Sequence, residues 1–492
     1  MSYANLFLAT LPETILEIAA LFVLVFDLAF LRKAAQKTRV AVAALLGIVG
    51  CAVALWAVPI APSFSAGSEL LLAAGGSAGV AQCAILVLTA LTLLLLIDSV
   101  FTRNAGEYVA VVLMSAAGGL IISAAQDLLV IFTGLELLSL GLYVLTAFNK
   151  QSGKSAEAAM KYYLFGGMSA AFLLFGFSYL YGLSGSTSLP KVVLGSYLFA
   201  ANAGWPLLSL ALVMLAAGLG FKVAAVPFHL WAPDTYEGAP APAAAFIASV
   251  SKVASFALLI SISSAALHFL TASGVGTAWP LVLTVLSAAS MVFGNLAALA
   301  QVSVRRLLAY SAIAHAGYVL LGLAFFSYPS VSGAAILYYI VTYGLTTIGA
   351  FGVVGVVERA TGSDKLDSFL GLQKRNPVLA AVLLVLFLSL AGIPPLVGFW
   401  AKFNLFAAVL GDSAGKVAFS LVALAIAFSA VSLYYYLQVL KRAYVMPGAD
   451  ETPIHAHPVT LAVLVLIAAA VLVLGCFPAL LQSWIAGFYQ SM

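Results

Sequence analysis

The sequence predicts an all-α polytopic membrane protein of about fourteen transmembrane helices, arranged as two inverted five-helix repeats and containing two broken helices. Three observations lead there. The chain is 64% hydrophobic and 8% charged, with a mean hydropathy of +1.14, whereas soluble domains carry about 25% charged residues. Apolar runs of about 20 residues, long enough to cross a bilayer, recur from end to end. Two of these runs are interrupted by proline close to a lysine, in LAAGLGFKVAAVPFHLW and LSLAGIPPLVGFWAKF.

Taken in order, spans one to three fall at 11–31, 40–58 and 79–100. The opening MSYANLFLATLPETILE has no basic stretch and carries Glu13 and Glu17. Span one is therefore expected to be retained rather than cleaved as a signal. Spans four to eight fall at 107–125, 127–148, 158–182, 206–228 and 242–270. Span five holds Glu136 within LLVIFTGLELLSLGLYVL, and span six opens close to Lys161. Span seven carries Lys222 five residues before Pro227, and span eight carries Lys252. Spans nine to thirteen fall at 279–300, 304–326, 331–357, 377–409 and 416–440. Span ten holds His315, and span twelve carries Lys402 eight and seven residues after Pro394 and Pro395. Span fourteen covers 458–481.

The middle ten spans read as two repeats, 107–270 and 279–440, flanked by 1–106 and 441–492. Each repeat has a lysine-bearing, proline-broken span in its fourth place. Five is an odd number, so the second copy enters the membrane the other way up. Inverted repeats whose broken helices meet near the midplane recur in ion transporters. Spacing agrees: 86 residues separate Glu136 from Lys222, and 87 separate His315 from Lys402. Span thirteen holds no lysine to match Lys252. No Ser/Gly/Pro-rich linker divides the chain, which reads as one membrane domain.

Basic residues set the expected topology. Of the 21 Lys and Arg, fifteen fall in odd-numbered connections or at the span ends bordering them (Arg305 and Arg306), two (Lys191 and, at a span end, Lys416) on the even-numbered side, and four deeper within spans. The positive-inside rule then puts the odd-numbered connections in the cytoplasm and both termini outside. The net charge of +4 belongs to those loops and forms no basic stripe suited to nucleic acid. Cys51, Cys83 and Cys476 lie far apart without paired spacing, which excludes an iron–sulfur cluster or a structural zinc site. No metal site is expected. There is no G-x-G-x-x-G after a strand and no P-loop lysine, so any nucleotide or electron chemistry is assigned to other polypeptides.

Charges inside the spans carry the functional reading. A charge at mid-span costs about 2.5–3.5 kcal/mol on insertion scales, and a chain needing only an anchor would use leucine. Lys222, Lys252, Lys402 and Glu136 lie too deep to reach water along their own side chains, which points to a path for protons or cations. Other polar residues have bland readings beside functional ones. Lys161 follows a loop closely and either snorkels to the interface or joins a relay. His229, at the end of the broken span, is either a structural C-terminal residue or a proton-entry group. His315 is either a satisfied core histidine or a relay. Arg305 and Arg306 read as topology anchors. Asp27 and Asp98, near span ends, read as partners of loop bases. Pro227 alone reads equally as a packing kink; the Pro394–Pro395 pair between Gly392 and Gly398 frees carbonyls in a way that suits a cavity.

At these residues a family resemblance emerges. The blocks FKVAAVPFHLWAPDTYEGAPAPAAAFIASVSKVASF, RRLLAYSAIAHAGYVLLG and LSLAGIPPLVGFWAKF resemble the antiporter-like subunits of respiratory complex I. The likeness covers essentially the whole chain and is greatest to the subunit N family of bacterial NADH:quinone oxidoreductase. It implies a polar axis in which Glu136, Lys222, Lys252 and Lys402 match the family's positions one by one. Lysine at the twelfth-span site, and a chain stopping soon after span fourteen without a long lateral helix, both suit that family. The three N-terminal spans favour a bacterial source. The resemblance further implies a bacterial inner (plasma) membrane location, other complex I subunits and membrane lipid as partners, and no cofactor in this chain. FMN, iron–sulfur clusters and quinone are expected in partner subunits.

The implied mechanism has a physical basis. Burial disfavours a lysine's charged form and a nearby carboxylate favours it. Glu136 would help Lys222 hold a proton; displacing that charge would push the proton toward Lys252. His315 and water would hand it to Lys402 and the outside. Lysine suits such a cycle because arginine stays protonated. Two rivals remain: a subunit of a free-standing multi-subunit cation/proton antiporter, and an inert structural subunit.

Overall fold

The computed structural model describes residues 3–66, 69–99, 101–203, 205–273, 278–327, 329–411, 415–448 and 452–490. Its helices begin with α1 (Tyr3–Ala9), α2 (Leu11–Phe26, prolonged by a π-helical stretch Asp27–Leu31), α3 (Gln36–Ala57), α4 (Gly76–Leu96), α5 (Ala105–Ala124) and α6 (Leu128–Thr146). The middle of the chain forms α7 (Gly153–Ser184), α8 (Leu189–Ala203), α9 (Pro206–Val223), α10 (Trp231–Gly238), α11 (Ala241–Ser273), α12 (Ala278–Leu299) and α13 (Val304–Ala324). The remainder forms α14 (Ala334–Thr361), α15 (Leu372–Arg375), α16 (Pro377–Ala391), α17 (Val397–Val409), α18 (Lys416–Tyr444), α19 (Pro458–Cys476) and α20 (Ala479–Gln490). A short antiparallel hairpin, β1 (Phe64–Ala66) with β2 (Glu69–Leu72), precedes α4 with Ser65 opposite Leu70.

Thirteen helices among the described residues are long and apolar enough to cross a membrane. The predicted span 377–409 is the fourteenth, divided into α16 and α17. Polar caps and glycines set the ends. Asp127 accepts from Leu129 N at 2.9 Å to start α6, and Ser303 accepts from Arg306 N at 3.1 Å to start α13. Asn376 accepts from Leu379 N at 2.9 Å to start α16, with Pro377 at its first position, where the missing N–H costs nothing. Gly185 and Gly362, with φ of 69° and 71°, close α7 and α14 in the left-handed conformation glycine tolerates best.

Both helix breaks have a chemical cause. After Val223 the chain turns left-handed at Ala224 (φ 59°), and Pro227 has no N–H with which to continue the ladder. Val226 N instead donates to Ser290 Oγ on α12 at 2.9 Å, and Trp231 Nε1 donates to Phe221 O at 2.9 Å as α10 begins. After Ala391 the chain turns left-handed at Gly392 (φ 86°) and passes Pro394 and Pro395 before α17. The Val226–Pro227 and Pro394–Pro395 bonds are cis.

The centre of the bundle is the row α11, α13 and α14, whose spanning segments are 94%, 94% and 89% buried. The segments of α2, α7 and α18 are only 22%, 33% and 28% buried and present leucine, valine and phenylalanine outward, as lipid-facing helices do. Small residues let α12 and α13 approach closely: a Cβ added at Gly317 would lie 2.7 Å from Met291 N and 2.9 Å from Ser287 O.

At one end of the bundle, arginines read as topology anchors do more. Arg305 is buried, donates to Glu237 O at 3.0 Å and Ala239 O at 2.7 Å, and pairs with Glu358 at 2.6 Å. Arg306 pairs with Asp234 at 2.6 Å and Glu237 at 3.2 Å. These contacts stitch α13 to α10 and α14. Asp27 and Asp98 pair with bases of helix ends rather than loops: Arg39 Nε in the first turn of α3 lies 2.9 Å from Asp27, and Arg359 in the last turn of α14 lies 2.6 Å from Asp98.

The packing yields a test. Gly317→Ala would force backbone apart between α12 and α13, a strain of about 1–3 kcal/mol. Its thermal unfolding midpoint in detergent is expected to fall. Gly167→Ala, where an added Cβ meets nothing within 4 Å, is expected to leave the midpoint unchanged or raise it. Equal midpoints for the two variants would contradict this packing.

Candidate functional site

Lys222 occupies the last turn of α9, where the negative end of the helix dipole favours a cation. Its ammonium donates to Ser139 Oγ on α6, and only 7% of the residue is exposed. Glu136 stands one turn before Ser139, near enough for its charge to act on Lys222, with no direct ion pair between them among the described contacts. Its depth along α6 matches the expectation, but its burial does not. Glu136 is half-buried, because it lies on the flank of α6 that this chain does not cover.

Lys252, 4% exposed at the centre of the bundle, donates to two backbone carbonyls: Ala312 O on α13 at 2.7 Å and Val223 O at 3.3 Å. Val223 is the last residue of α9, so its carbonyl is free because the helix stops there. The break beside Lys222 thus supplies an acceptor to the next lysine.

His315 lies one turn beyond Ala312 on α13, where the charges of both Lys252 and Lys402 act on it. Its Nδ1 is 2.7 Å from Tyr339 Oη on α14, and its Nε2 is 3.5 Å from Tyr436 Oη on α18. Tyr436 also bonds Ser311. A cavity of about 10 Å³ beside the imidazole is lined by Tyr339, Thr342, Tyr343 and Ser389, at the threshold for one water.

Lys402, 6% exposed, has three acceptors: Leu390 O at 3.1 Å, Ala391 O at 2.9 Å and Ser429 Oγ at 2.8 Å. Both carbonyls belong to the last turn of α16 and are freed by its break. The ammonium also stands 5.4 Å from the centre of the Tyr318 ring, within cation–π range. Gly392 makes room, since a Cβ there would lie 3.0 Å from Lys402 Cδ.

Among the described residues no carboxylate is within ion-pair distance of Lys222, Lys252 or Lys402. Neutral oxygens hold all three. Such a set stabilises a charged lysine without locking the proton in place, which is the chemistry a transfer path needs. His315 joins this row. His229 does not bond to it: the histidine is buried in the turn between α9 and α10, with its ring 4.8 Å from that of Phe293. Lys161 is at the bundle end, paired with Glu157 at 2.7 Å and Asp234 at 2.8 Å. Reasoning from sequence missed Ser139, Tyr318, Tyr339, Ser429 and Tyr436. The turn-spaced run Tyr339, Thr342, Tyr343, Thr346 along one face of α14 was the available signal.

A family described as NADH:quinone oxidoreductase/Mrp antiporter, TM, matches residues 125–429. NADH-quinone oxidoreductase subunit N 2 of Acidobacterium capsulatum is 48% identical over 505 residues, covering 99% of each chain. A chain of respiratory complex I from Thermus thermophilus superposes with a TM-score of 0.78 at 34% identity, covering 96% of this chain and 98% of that one. A chain of the Mrp complex from Dietzia superposes with a TM-score of 0.80 at 20% identity over 98% and 96%, a likeness of fold alone. The chain belongs to the NADH:quinone oxidoreductase/Mrp antiporter transmembrane family, within its subunit N relatives.

Proposed function

We propose that the chain is the proton-translocating subunit N of an NADH:quinone oxidoreductase, moving protons along Glu136, Lys222, Lys252, His315 and Lys402 while electrons pass from NADH to quinone in partner subunits. The observation that carries this reading is the row of three buried lysines whose hydrogen bonds among the described residues all go to hydroxyl and backbone oxygens, two of them to carbonyls of broken helices. A proton on Lys222, held near the Glu136 charge, moves to Lys252 when that charge is displaced or compensated. His315 relays it to Lys402, and release follows at the outer side. His229 and Lys161 stand on the entry side.

The same reading takes 107–270 and 279–440 as inverted five-helix units, 1–106 and 441–492 as flanks, and both termini as facing outside a bacterial inner membrane. Fifteen of 21 Lys and Arg falling in or at the edge of odd-numbered connections supports that orientation. The half-exposed flank carrying Glu136 supports a neighbouring membrane subunit covering it, since an acid facing lipid at mid-span is costly. Redox cofactors belong to partner subunits.

Lys222→Ala and Glu136→Ala are each expected to depress proton pumping coupled to NADH oxidation while the complex still assembles, and Glu136→Asp is expected to be milder. The check is the proton-to-electron ratio in inverted vesicles, with assembly verified by comigration of the chain with NADH-dehydrogenase activity. A wild-type ratio in assembled Lys222→Ala sinks the path. Failure of the chain to comigrate favours the free-standing antiporter instead.

Lys402 separates a moving proton from a fixed charge. Lys402→Arg is expected to pump nearly as poorly as Lys402→Ala, because a guanidinium does not give up its proton at accessible pH. Near-normal pumping by assembled Lys402→Arg would leave Lys402 as an electrostatic element only.

A further inference from the structure

A cavity of about 120 Å³ lies between α8 and α9, closed by the ends of α6, α7, α11 and α12. Its lining is aliphatic and aromatic apart from a serine. It contains no group from the lysine row. Two polar atoms break the apolar surface, Ser196 Oγ on α8 and Trp279 Nε1 at the start of α12. The two residues are only 2% and 9% exposed, and neither atom has a hydrogen-bond partner among the described residues. A buried donor left without an acceptor is disfavoured, so both atoms call for an oxygen that this chain does not supply. Water is a poor candidate, because one water needs 2–4 polar partners and an apolar cavity stays dry.

Position narrows the occupant. Trp205 and Trp279 begin α9 and α12 and lie with Tyr197 at one end of the cavity, the residue types that mark a membrane interface. Leu212 and Leu215 line it further along α9. Ten residues of helix from Trp205 to Leu215 rise about 15 Å, half of a bilayer core of about 30 Å. The cavity therefore runs from the interface to mid-bilayer, with its unmet donors toward the interface. We infer that it holds one acyl chain of a glycerophospholipid, whose ester carbonyl accepts from Trp279 Nε1 and Ser196 Oγ. The chain then packs against Leu212 and Leu215 on the face of α9, the helix that ends in Lys222, so a lipid forms part of the wall supporting the lysine-bearing helix.

The assembled complex, reconstituted in vesicles containing a phospholipid with a diazirine near the end of one acyl chain, tests this. After irradiation, label is expected on Leu212 and Leu215 as well as on Leu210 and Val213, which face bulk lipid at 40% and 58% exposure. Detergent washing before irradiation is expected to remove label from Leu210 and Val213 first. Val193→Trp, which fills the cavity from α8, is expected to abolish label on Leu212 and Leu215 and spare Val213. Ser196→Ala keeps the cavity and is expected to weaken retention about fivefold, one hydrogen bond's worth. If Val193→Trp fails to assemble, Ser196→Ala decides. Label on Leu212 and Leu215 that washes out with that on Val213, or that survives both substitutions undiminished, overturns the proposal. So does label there from a photoactivatable isoprenoid quinone that added phospholipid does not displace.

Discussion

Three ammonium groups inside an apolar bundle must each find oxygen, and the rest of the structure is arranged around that need. Each costs about 2.5–3.5 kcal/mol to place at mid-span, while one hydrogen bond to a charged group returns about 1.5–3 kcal/mol. Lys252 has two such acceptors and Lys402 three. Carbonyls inside an intact helix are already bonded four residues on; Ala312 O of α13 serves Lys252 through its second lone pair, and the other carbonyls come from helix ends. Breaking α9 and α16 inside the bundle frees Val223 O, Leu390 O and Ala391 O where the lysines stand. The prolines and Gly392 thus serve the lysines, and the lysines make the breaks tolerable in lipid.

The two breaks are used differently. In the second, the freed carbonyls return to Lys402 on α17, the other half of the same span. In the first, the carbonyl of Val223 reaches across to Lys252 on α11, while the adjacent Lys222 turns to Ser139 on α6. A shift of the α9 end would therefore act on two lysines at once. Such coupling through one movable helix end fits a path driven from a distance, in which an event outside the chain biases Glu136 and the bias travels inward.

Much of this was legible in the sequence because the signals are costly. Long apolar runs have no other use, and a lysine at mid-span must be offset, so Lys222, Lys252 and Lys402 stood out. What stayed hidden is cheap. Serine and tyrosine are ordinary residues in spanning helices, so Ser139, Ser429 and Tyr436 gave no warning of their contacts. Elements other than spans were also hidden: α10 and the β1–β2 hairpin carry too few residues for a period to emerge, and the 15-residue α8 falls short of the length that marks a span. Arg305 read as an anchor because a basic pair near a span end is usually one, and only the return of α10 and α14 to that position encloses it. For Glu136, sequence gives depth along the helix, but which flank remains uncovered depends on how α6 packs.

In the proposed path these lysines change protonation during turnover. The most direct measurement is a difference infrared spectrum of the assembled complex, resting against turning over, with lysine labelled at Nζ with heavy nitrogen. A label-sensitive ammonium signal is expected, and it disappears when Lys222, Lys252 and Lys402 are all replaced by methionine. Sustained pumping in the unsubstituted complex with no lysine signal at all would contradict it.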